Sequence, residues 1–257
     1  MVNKSETEPE HLLTNIVGVD CASDPKNVGL ATGRCRNGVG VIERVEIGSA
    51  KQAPVDTVAD WLRERSGPVL LAMDAPLGWP EPLARVLHTH AAGDAIDVEA
   101  NVLFRRETDR FIHRKIGKQS LDVGADRIAR TAFAALELIA GLRNRLNRQI
   151  TTAWEPEFSD TRAIEVYPAA TLIAHGISPT GYKSKNGELE RRRILNSLSQ
   201  LIRIDDEIPQ ISNASDGLDA AICVLAACDF LSGQAFYPEK DWPVKKEGWV
   251  WVRDPDA

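Results

Sequence analysis

The sequence predicts an α/β fold in which helices cover both faces of a mixed β-sheet. Three short apolar segments separated by polar turns fill residues 15–47, a pattern typical of antiparallel strands joined in sequence order. A helical pattern at 55–65 then leads into a continuous apolar run at 69–74, typical of a strand buried on both faces. The rest of the chain alternates helical patterns with further strands.

The first half of the chain is predicted to contain four strands and one helix. The strands are expected at residues 15–20, 27–33, 38–47 and 69–74. Apolar residues between Val55 and Leu62 recur at helical spacing, and Gly67 with Pro68 ends this helix.

The second half is predicted to be mostly helical. Patterns of helical period occupy about 81–160, and the clearest runs from 125 to 146. The remaining predicted elements are a strand at 162–167 closed by Pro168, helices at 188–203 and 215–231, and a short final strand at 248–252.

This order of elements is that of the ribonuclease H-like fold, in which three antiparallel strands lead through a helix into parallel strands. We therefore expect one ribonuclease H-like domain over 15–257, with a helical insertion at about 81–160. Residues 1–14 are mostly polar and are predicted to form a flexible tail.

Composition excludes several classes of protein. Of the 257 residues, 43% are hydrophobic and 26% are charged, which is typical of a globular protein and excludes a mostly disordered chain. No apolar run approaches the roughly 20 residues of a membrane-spanning helix, and the N-terminus lacks the apolar core of a secretory signal. The four cysteines have no C-x-x-C spacing, so neither a zinc site nor a disulfide framework is supported. A cytoplasmic protein is expected.

Charge is unevenly distributed along the chain. The net charge is −6, which argues weakly against a protein coated by nucleic acid. Residues 105–148, however, hold eleven Lys and Arg against five Asp and Glu, so this segment carries +6 and the remainder carries −12. The segment is either a solvated helical surface or a surface that contacts phosphates.

Two aspartates stand at the ends of apolar strands. Asp20 closes the first strand and Asp74 closes the fourth. If these strands are parallel neighbours, both carboxylates emerge at the same edge of the sheet, where α/β proteins bind ligands. Alternatively, each aspartate caps the turn that follows it.

Three further acids are candidates for the same site. Asp216 and Asp219 lie three residues apart at the start of the helix at 215–231, and hence on one face of it. A favourable interaction with the helix dipole is the alternative explanation, and it fits Asp216 better than Asp219. Glu165 lies inside a strand, where glutamate is uncommon unless the position faces water at a sheet edge.

Carboxylates in this arrangement are suited to hold two Mg²⁺ or Mn²⁺ ions, which prefer oxygen ligands. Paired ions activate a water and stabilise the leaving oxygen of a phosphodiester. We expect Asp20 to be the shared ligand, Asp74 to complete one ion, and Asp219 with Asp216 to complete the other. Glu165 is expected beside Asp74, as a ligand or an orienting carboxylate.

Several motifs resemble those of the family catalogued as domain of unknown function 429, described as predicted ribonuclease H-like nucleases. The resemblance extends over most of residues 15–252. The matching segments are VGVDCA at 17–22, AMDAPLG at 72–78, RETD at 106–109, IEVYPA at 164–169, DGLDAA at 216–221 and GWVWV at 248–252. The D-x-x-D-A pattern that begins at Asp216 also resembles the last catalytic helix of RuvC-type junction resolvases.

The resemblance implies a metal-dependent nuclease with Asp20, Asp74, Glu165 and Asp219 as catalytic residues. Within its R-x-T-D segment, Arg106, Thr108 and Asp109 are candidates to bind substrate, with Arg106 on a phosphate and Asp109 orienting it. An ion pair on a helix surface is the alternative for this segment. Nearby basic residues are further candidates to contact the nucleic acid backbone, namely Arg110, His113 and Arg114.

Two other functions are compatible with the sequence. An ATP-dependent kinase or phosphohydrolase of the actin–hexokinase type also places an aspartate at the end of its first strand, but follows it with glycines that admit phosphate. Asp20 is instead followed by Cys-Ala-Ser-Asp-Pro. A non-catalytic nucleic-acid-binding module is the second alternative, and the density of acids argues against it. The sequence does not distinguish DNA from RNA, and it leaves the oligomeric state open.

Overall fold

The computed structural model describes residues 13–124, 126–205 and 208–257, and these form one sheet covered by helices. The strands are β1 (Thr14–Asp20), β2 (Gly29–Arg36), β3 (Val39–Ile47), β4 (Val69–Asp74), β5 (Ile150–Thr152), β6 (Thr161–Glu165) and β7 (Arg203–Ile204). The helices are α1 (Pro54–Arg63), α2 (Glu81–Thr89), α3 (Ala100–Phe104), α4 (Glu107–Ile116), α5 (Asp126–Leu146), α6 (Pro168–Ala174), α7 (Glu188–Leu198), α8 (Pro209–Asn213), α9 (Ser215–Leu231) and α10 (Val244–Glu247). Except for its last two residues, the predicted tail at 1–14 lies outside the described residues.

The sheet has the predicted mixed topology. Its strands lie in the order β5, β6, β4, β1, β2, β3, β7. The first three strands pair antiparallel, whereas β1, β4, β6 and β5 pair parallel in turn. The predicted fold class is therefore confirmed, and the sheet is consistent with a ribonuclease H-like fold. The strand that carries Asp20 lies at the centre of the sheet.

Helices cover both faces of the sheet and enclose two apolar cores. On one face α9 and α6 pack on the strands, and the core they form includes Phe230, Trp251 and Ile16. On the other face α1 and α5 pack, with Trp61 and Leu142 in their core. Because β1 is covered on both sides, its side chains between Thr14 and Val19 are all buried.

Two glycines allow α9 to lie unusually close to the sheet. A β-carbon added to Gly18 in β1 would collide with the carbonyl oxygen of Ala220 in α9. One added to Gly29 at the start of β2 would collide with the carbonyl oxygen of Asp216. Residues without a side chain at these points therefore set the separation between helix and sheet.

The prediction of a final strand at 248–252 is wrong, because this segment does not form a strand. Only Val250 forms an isolated parallel bridge, to Glu165, and the Trp251 backbone N–H donates to the Glu165 carbonyl over 2.9 Å. β5 already pairs with the outer edge of β6 as far as Ala163. Beyond Ala163, only the last two residues of β6 are left on that edge. The segment 248–252 therefore pairs with the sheet only at the end of β6, at Glu165.

Two other predicted boundaries differ from the structure. The helix predicted at 188–203 ends at Leu198, and the chain then adds the short strand β7 beside β3. The strand predicted at 162–167 ends at Glu165, because Pro168 already begins α6.

None of the helices among the described residues combines the length and the apolar character needed to cross a membrane.

We predict that Gly18→Ala lowers the free energy of unfolding by about 1–3 kcal/mol, because the added methyl group forces α9 away from β1. Urea denaturation measures the change. Gly124→Ala is the matched control, since the nearest atoms to its added carbon are side-chain atoms of Leu83 and Phe104, at 2.9 and 3.3 Å, rather than backbone. Equal losses for the two variants would contradict the proposed close contact.

Candidate metal centre

Three aspartates meet at the carboxyl edge of the sheet. Asp20 and Asp74 end β1 and β4 and lie directly opposite each other in the parallel register. Asp219 reaches them from α9, and one carboxylate oxygen from each of the three lies within 4.8 Å of the others. The prediction that Asp20 and Asp74 lie on adjacent parallel strands is therefore confirmed.

Asp219 has two close partners that the sequence did not predict. The Tyr182 hydroxyl donates to Asp219 Oδ1 over 2.6 Å, and Lys183 Nζ lies 2.7 Å from Asp219 Oδ2. Both residues belong to the segment between α6 and α7. A tyrosine and a lysine in an irregular segment have no periodicity or spacing that would reveal this contact.

Loss of water and mutual repulsion both disfavour charge on these aspartates. Burial, followed by the negative charges of Asp219 and Asp74, raises the pKa of Asp20 well above its ordinary value. Burial likewise raises the pKa of Asp74 to about 7, although the Lys183 ammonium opposes the shift. Burial also raises the pKa of Asp219, against the opposing charge of Lys183 and the hydrogen bond from Tyr182.

The donor set fits a hard divalent cation. All three ligand groups are carboxylates, which Mg²⁺ and Mn²⁺ prefer. Asp219 has protein donors on both oxygens, whereas no hydrogen bond to the carboxylates of Asp20 and Asp74 is found among the described residues. A bound cation would supply the partner that these two half-buried groups lack.

Asp216 lies outside this group of three. Its Oδ1 accepts a hydrogen bond from the Ser215 hydroxyl over 3.0 Å, at the first turn of α9. Its negative charge is near enough to raise the pKa of Asp20 and of Asp219. Asp216 therefore contributes to the field of the site, but the prediction that it is a direct ligand is not supported by the grouping of the carboxylates.

Glu165 is held in a buried ion-pair network beside the aspartates. It pairs with Met73 on β4, one position before Asp74. Arg106 donates to both of its oxygens over 2.6 and 2.7 Å, and the Leu77 backbone N–H donates to Oε2 over 3.0 Å. Burial raises the pKa of Glu165, and the Arg106 charge opposes that shift. Glu165 thus fixes the chain just after Asp74, and its predicted place on the strand next to β4 is confirmed.

The predicted phosphate contact of Arg106 is wrong. Arg106 is 1% exposed, and all five guanidinium N–H groups are used by Asp109, Glu165 and the Glu247 carbonyl. No donor is left for a phosphate. The alternative, an ion pair on a helix surface, is confirmed as an ion pair, since Arg106 lies 2.9 Å from Asp109. It is wrong about the location, because Asp109 is only 2% exposed.

The other two residues of this segment are likewise structural. Asp109 accepts from the backbone N–H and side chain of Arg106 and from the Ser120 hydroxyl. Thr108 is 1% exposed, and its hydroxyl oxygen accepts from the Val250 backbone N–H over 2.9 Å. Thr108 therefore anchors the C-terminal segment, and its predicted contact with substrate is wrong.

The remaining predicted substrate contacts lie on the outer side of α4. His113 and Arg114 are exposed, and Arg114 pairs with Glu107 over 3.5 Å. Arg110 pairs with the same glutamate over 2.6 Å. Their contact with nucleic acid stays a prediction.

Much of the positive charge at 105–148 is neutralised within the protein. Arg105, Arg106, Arg110, Arg114 and Arg145 each form an ion pair. Lys115, Lys118, Arg143 and Arg148 form no ion pair with any side chain that the structure describes. The surface is therefore less positive than the sequence count indicates.

A cavity of about 300 Å³ opens beside the aspartates. Asp20, Asp74 and Lys183 line it, and Ile112, Ile128 and Tyr167 are among its other lining residues. Burial raises the pKa of Tyr167 to about 12, so its hydroxyl is protonated at neutral pH. The helices inserted between β4 and β6 thus form part of the wall of the site.

Comparison with known proteins identifies the family. The family model described as "Protein of unknown function (DUF429)" matches residues 18–242, and the chain belongs to this family. The match includes all three aspartates of the cluster and Tyr182 and Lys183. No curated protein matches the chain.

We predict that Arg106→Met lowers the free energy of unfolding by about 3–5 kcal/mol, because it leaves two buried carboxylates without their partner. Arg110→Met, which removes a half-buried ion pair of α4, is the matched control, and we expect it to cost less than about 1 kcal/mol. Urea denaturation compares them. A small loss for both variants would show that the buried network does not hold this part of the fold.

The raised pKa of Asp74 predicts how stability depends on pH when a chelator keeps metal away. The folded state keeps the proton up to about pH 7, whereas an unfolded chain releases it near pH 4. The folded state binds more protons in this window, so the free energy of unfolding falls as pH rises through it.

Asp74→Asn removes this contribution. Its stability relative to wild type should therefore rise between pH 5 and pH 8, by at most about 1.4 kcal/mol per pH unit. Urea denaturation across this range measures the difference, with the exposed Asp241→Asn variant as control. Curves for Asp74→Asn that stay parallel to wild type would contradict the assignment.

Proposed function

We propose that this member of the DUF429 family is a metal-dependent nuclease that hydrolyses phosphodiester bonds in DNA or RNA. The observation that supports it is the meeting of Asp20, Asp74 and Asp219 within 4.8 Å at the carboxyl edge of the sheet. The three come from separate elements, two strand ends and a helix, and two of them lack a protein partner among the described residues. Such an arrangement is suited to binding a cation and is costly without one.

Asp20, Asp74 and Asp219 are the proposed ligands of Mg²⁺ or Mn²⁺. Asp20 lies on the central strand, next to β4 and under α9, which favours it as the ligand shared by two ions. Divalent ions in such a site polarise the phosphate and lower the pKa of a bound water. Glu165 acts in this proposal as a positioning residue, because the buried Arg106 holds both of its oxygens. Asp219 differs, since its Oδ2 is held only by the exposed Lys183.

The proposed reaction is a hydrolysis. The oxygen of water forms a bond to phosphorus, and the bond from phosphorus to the leaving sugar oxygen breaks. One proton of the water passes to solvent, and the leaving oxygen takes up a proton, so that atoms and charge balance. The aspartates keep the reacting groups at one place on a rigid strand edge, which is the contribution of the fold.

A groove beside the site offers a path for a polymer. It has a volume of about 1210 Å³, lies between α5 and the turn after β1, and reaches Cys21, the residue next to Asp20. Arg130 lines it, as does Phe133, whose side chain is 62% exposed. A cation and an exposed aromatic ring are the groups that contact the phosphates and bases of a single strand.

One observation favours a second candidate, a hydrolase or ATP-dependent kinase that acts on a small phosphate ester. The cavity of about 300 Å³ beside the aspartates is of a size for a small molecule, and its wall is partly apolar. The absence of glycines directly after Asp20 argues against the kinase form of this alternative.

A panel of substrates with Mg²⁺ and with Mn²⁺ separates the two candidates. Labelled single- and double-stranded DNA and RNA test the nuclease, and ATP with p-nitrophenyl phosphate tests the small-substrate enzyme. Cleavage of an oligonucleotide that stops when a chelator is added supports the proposal. Turnover of the small esters alone would favour the second candidate, and binding of oligonucleotides without turnover would favour a non-catalytic module.

We predict that Asp20→Asn abolishes cleavage and also abolishes the stabilisation by metal. Wild type should melt at a higher temperature with Mn²⁺ than without it, because the ion binds only the folded state. The variant should melt at an equal or higher temperature than wild type without metal, since it has lost a repulsive charge. Differential scanning fluorimetry measures both effects.

Asp241→Asn is the matched control and should respond to Mn²⁺ as wild type does. A wild type that gains no stability from Mn²⁺, or an Asp20→Asn variant that gains as much as wild type, would overturn the metal site.

A further inference from the structure

The ammonium group of Lys183 already lies within the cluster of aspartates. Its Nζ is 2.7 Å from Asp219 Oδ2, while the other oxygen of Asp219 accepts from the Tyr182 hydroxyl. Asp219 is 1% exposed, whereas the Lys183 side chain is 55% exposed. The lysine therefore reaches in from the surface, and its stem is free to withdraw without disturbing the core.

The backbone that carries Lys183 is held in place by a buried arginine. Arg191, which is 6% exposed, donates to the carbonyls of Tyr182 and Ser184 over 2.8 and 3.3 Å. The same side chain donates to the carbonyls of Ser212 and Asn213, just before α9 begins. Arg191 thus ties the lysine segment to the helix that carries Asp219.

Close backbone packing within the segment supports the same conclusion. A β-carbon added to Gly187 would lie 2.5 Å from the carbonyl oxygen of Gly181 and 2.7 Å from that of Tyr182. The segment folds tightly on itself at this point. The fold therefore sets the position of the Lys183 backbone next to Asp219, while the lysine side chain itself stays mobile enough to withdraw.

Counting charges shows what this lysine does to the site. Once metal binding has displaced their protons, three ionised aspartates and one lysine leave a charge of −2, which a single divalent ion neutralises. A second divalent ion beside Asp219 would meet an ammonium group that already lies at hydrogen-bonding distance from that carboxylate. Like charges this close repel strongly where water is partly excluded.

We propose that Lys183 takes the place of the second cation in the resting protein. One divalent ion binds at Asp20 and Asp74, and a second ion binds beside Asp219 only after Lys183 has withdrawn. The phosphate of a substrate is the group that would draw the ammonium away, because it offers an anion outside the cluster. This inference rests on the proposed metal site and adds an order to the binding of its ions.

Mn²⁺ binding measured by electron paramagnetic resonance tests the proposal without using activity. Wild type should bind one Mn²⁺ per chain, with a second ion at least tenfold weaker. In Lys183→Met, and in the polar variant Lys183→Gln, the affinity for the second ion should increase at least tenfold. Lys185→Met, an exposed lysine of the same segment, is the matched control and should bind Mn²⁺ as wild type does. Circular dichroism checks that each variant is folded.

The outcomes separate this proposal from the one on which it rests. Two ions of equal affinity in wild type, or an unchanged second ion in both Lys183 variants, would overturn the role of Lys183 and leave the metal site standing. No Mn²⁺ bound to any variant would overturn the metal site and the role of Lys183 together. A second ion that tightens equally in Lys185→Met would show a general effect of surface charge and would also overturn the proposal.

Discussion

The close contact between α9 and the sheet determines the geometry of the candidate site. Asp219 approaches Asp20 because no side chain at Gly18 or Gly29 separates the helix from β1 and β2. Asp20 and Asp74 are in turn fixed by the parallel register of two fully buried strands. A backbone contact in the core thus brings three carboxylates together at the carboxyl edge of the sheet, and packing and the candidate site depend on the same glycines.

The sequence predicted the part of the site that lies on regular elements. Apolar runs that end in Asp20 and Asp74 predicted their position, because buried strands have a defined register and end at a common edge. The place of Asp219 in the site was predicted from its position near the start of the helix at 215–231. Tyr182 and Lys183 could not be predicted, since their position depends on the contacts of Arg191 with backbone carbonyls, at 182 and at 212, that no local pattern encodes.

The network around Arg106 shows a second limit of sequence patterns. An arginine followed three residues later by an aspartate is the same pattern on an exposed helix and in a core. What buries Arg106 is Glu165, which is 59 residues away along the chain, and the carbonyl of Glu247. The ion pair with Arg106 in turn explains why Glu165 is tolerated within β6, for which the sequence offered no local reason.

The two groups of acids differ in how their charge is balanced. Glu165 and Asp109 share four of the five guanidinium N–H groups of Arg106, and backbone N–H groups of Leu77 and Arg106 donate to them as well. Burial nevertheless raises the pKa of Glu165, as it raises that of Asp74, so the direction of a shift does not separate a structural acid from a functional one. The number of protein groups that donate to each carboxylate does separate structural acids from functional ones. Asp20, Asp74 and Asp219 have a single lysine between them, with donors only on Asp219, so the fold leaves a negative charge that a cation from outside can neutralise.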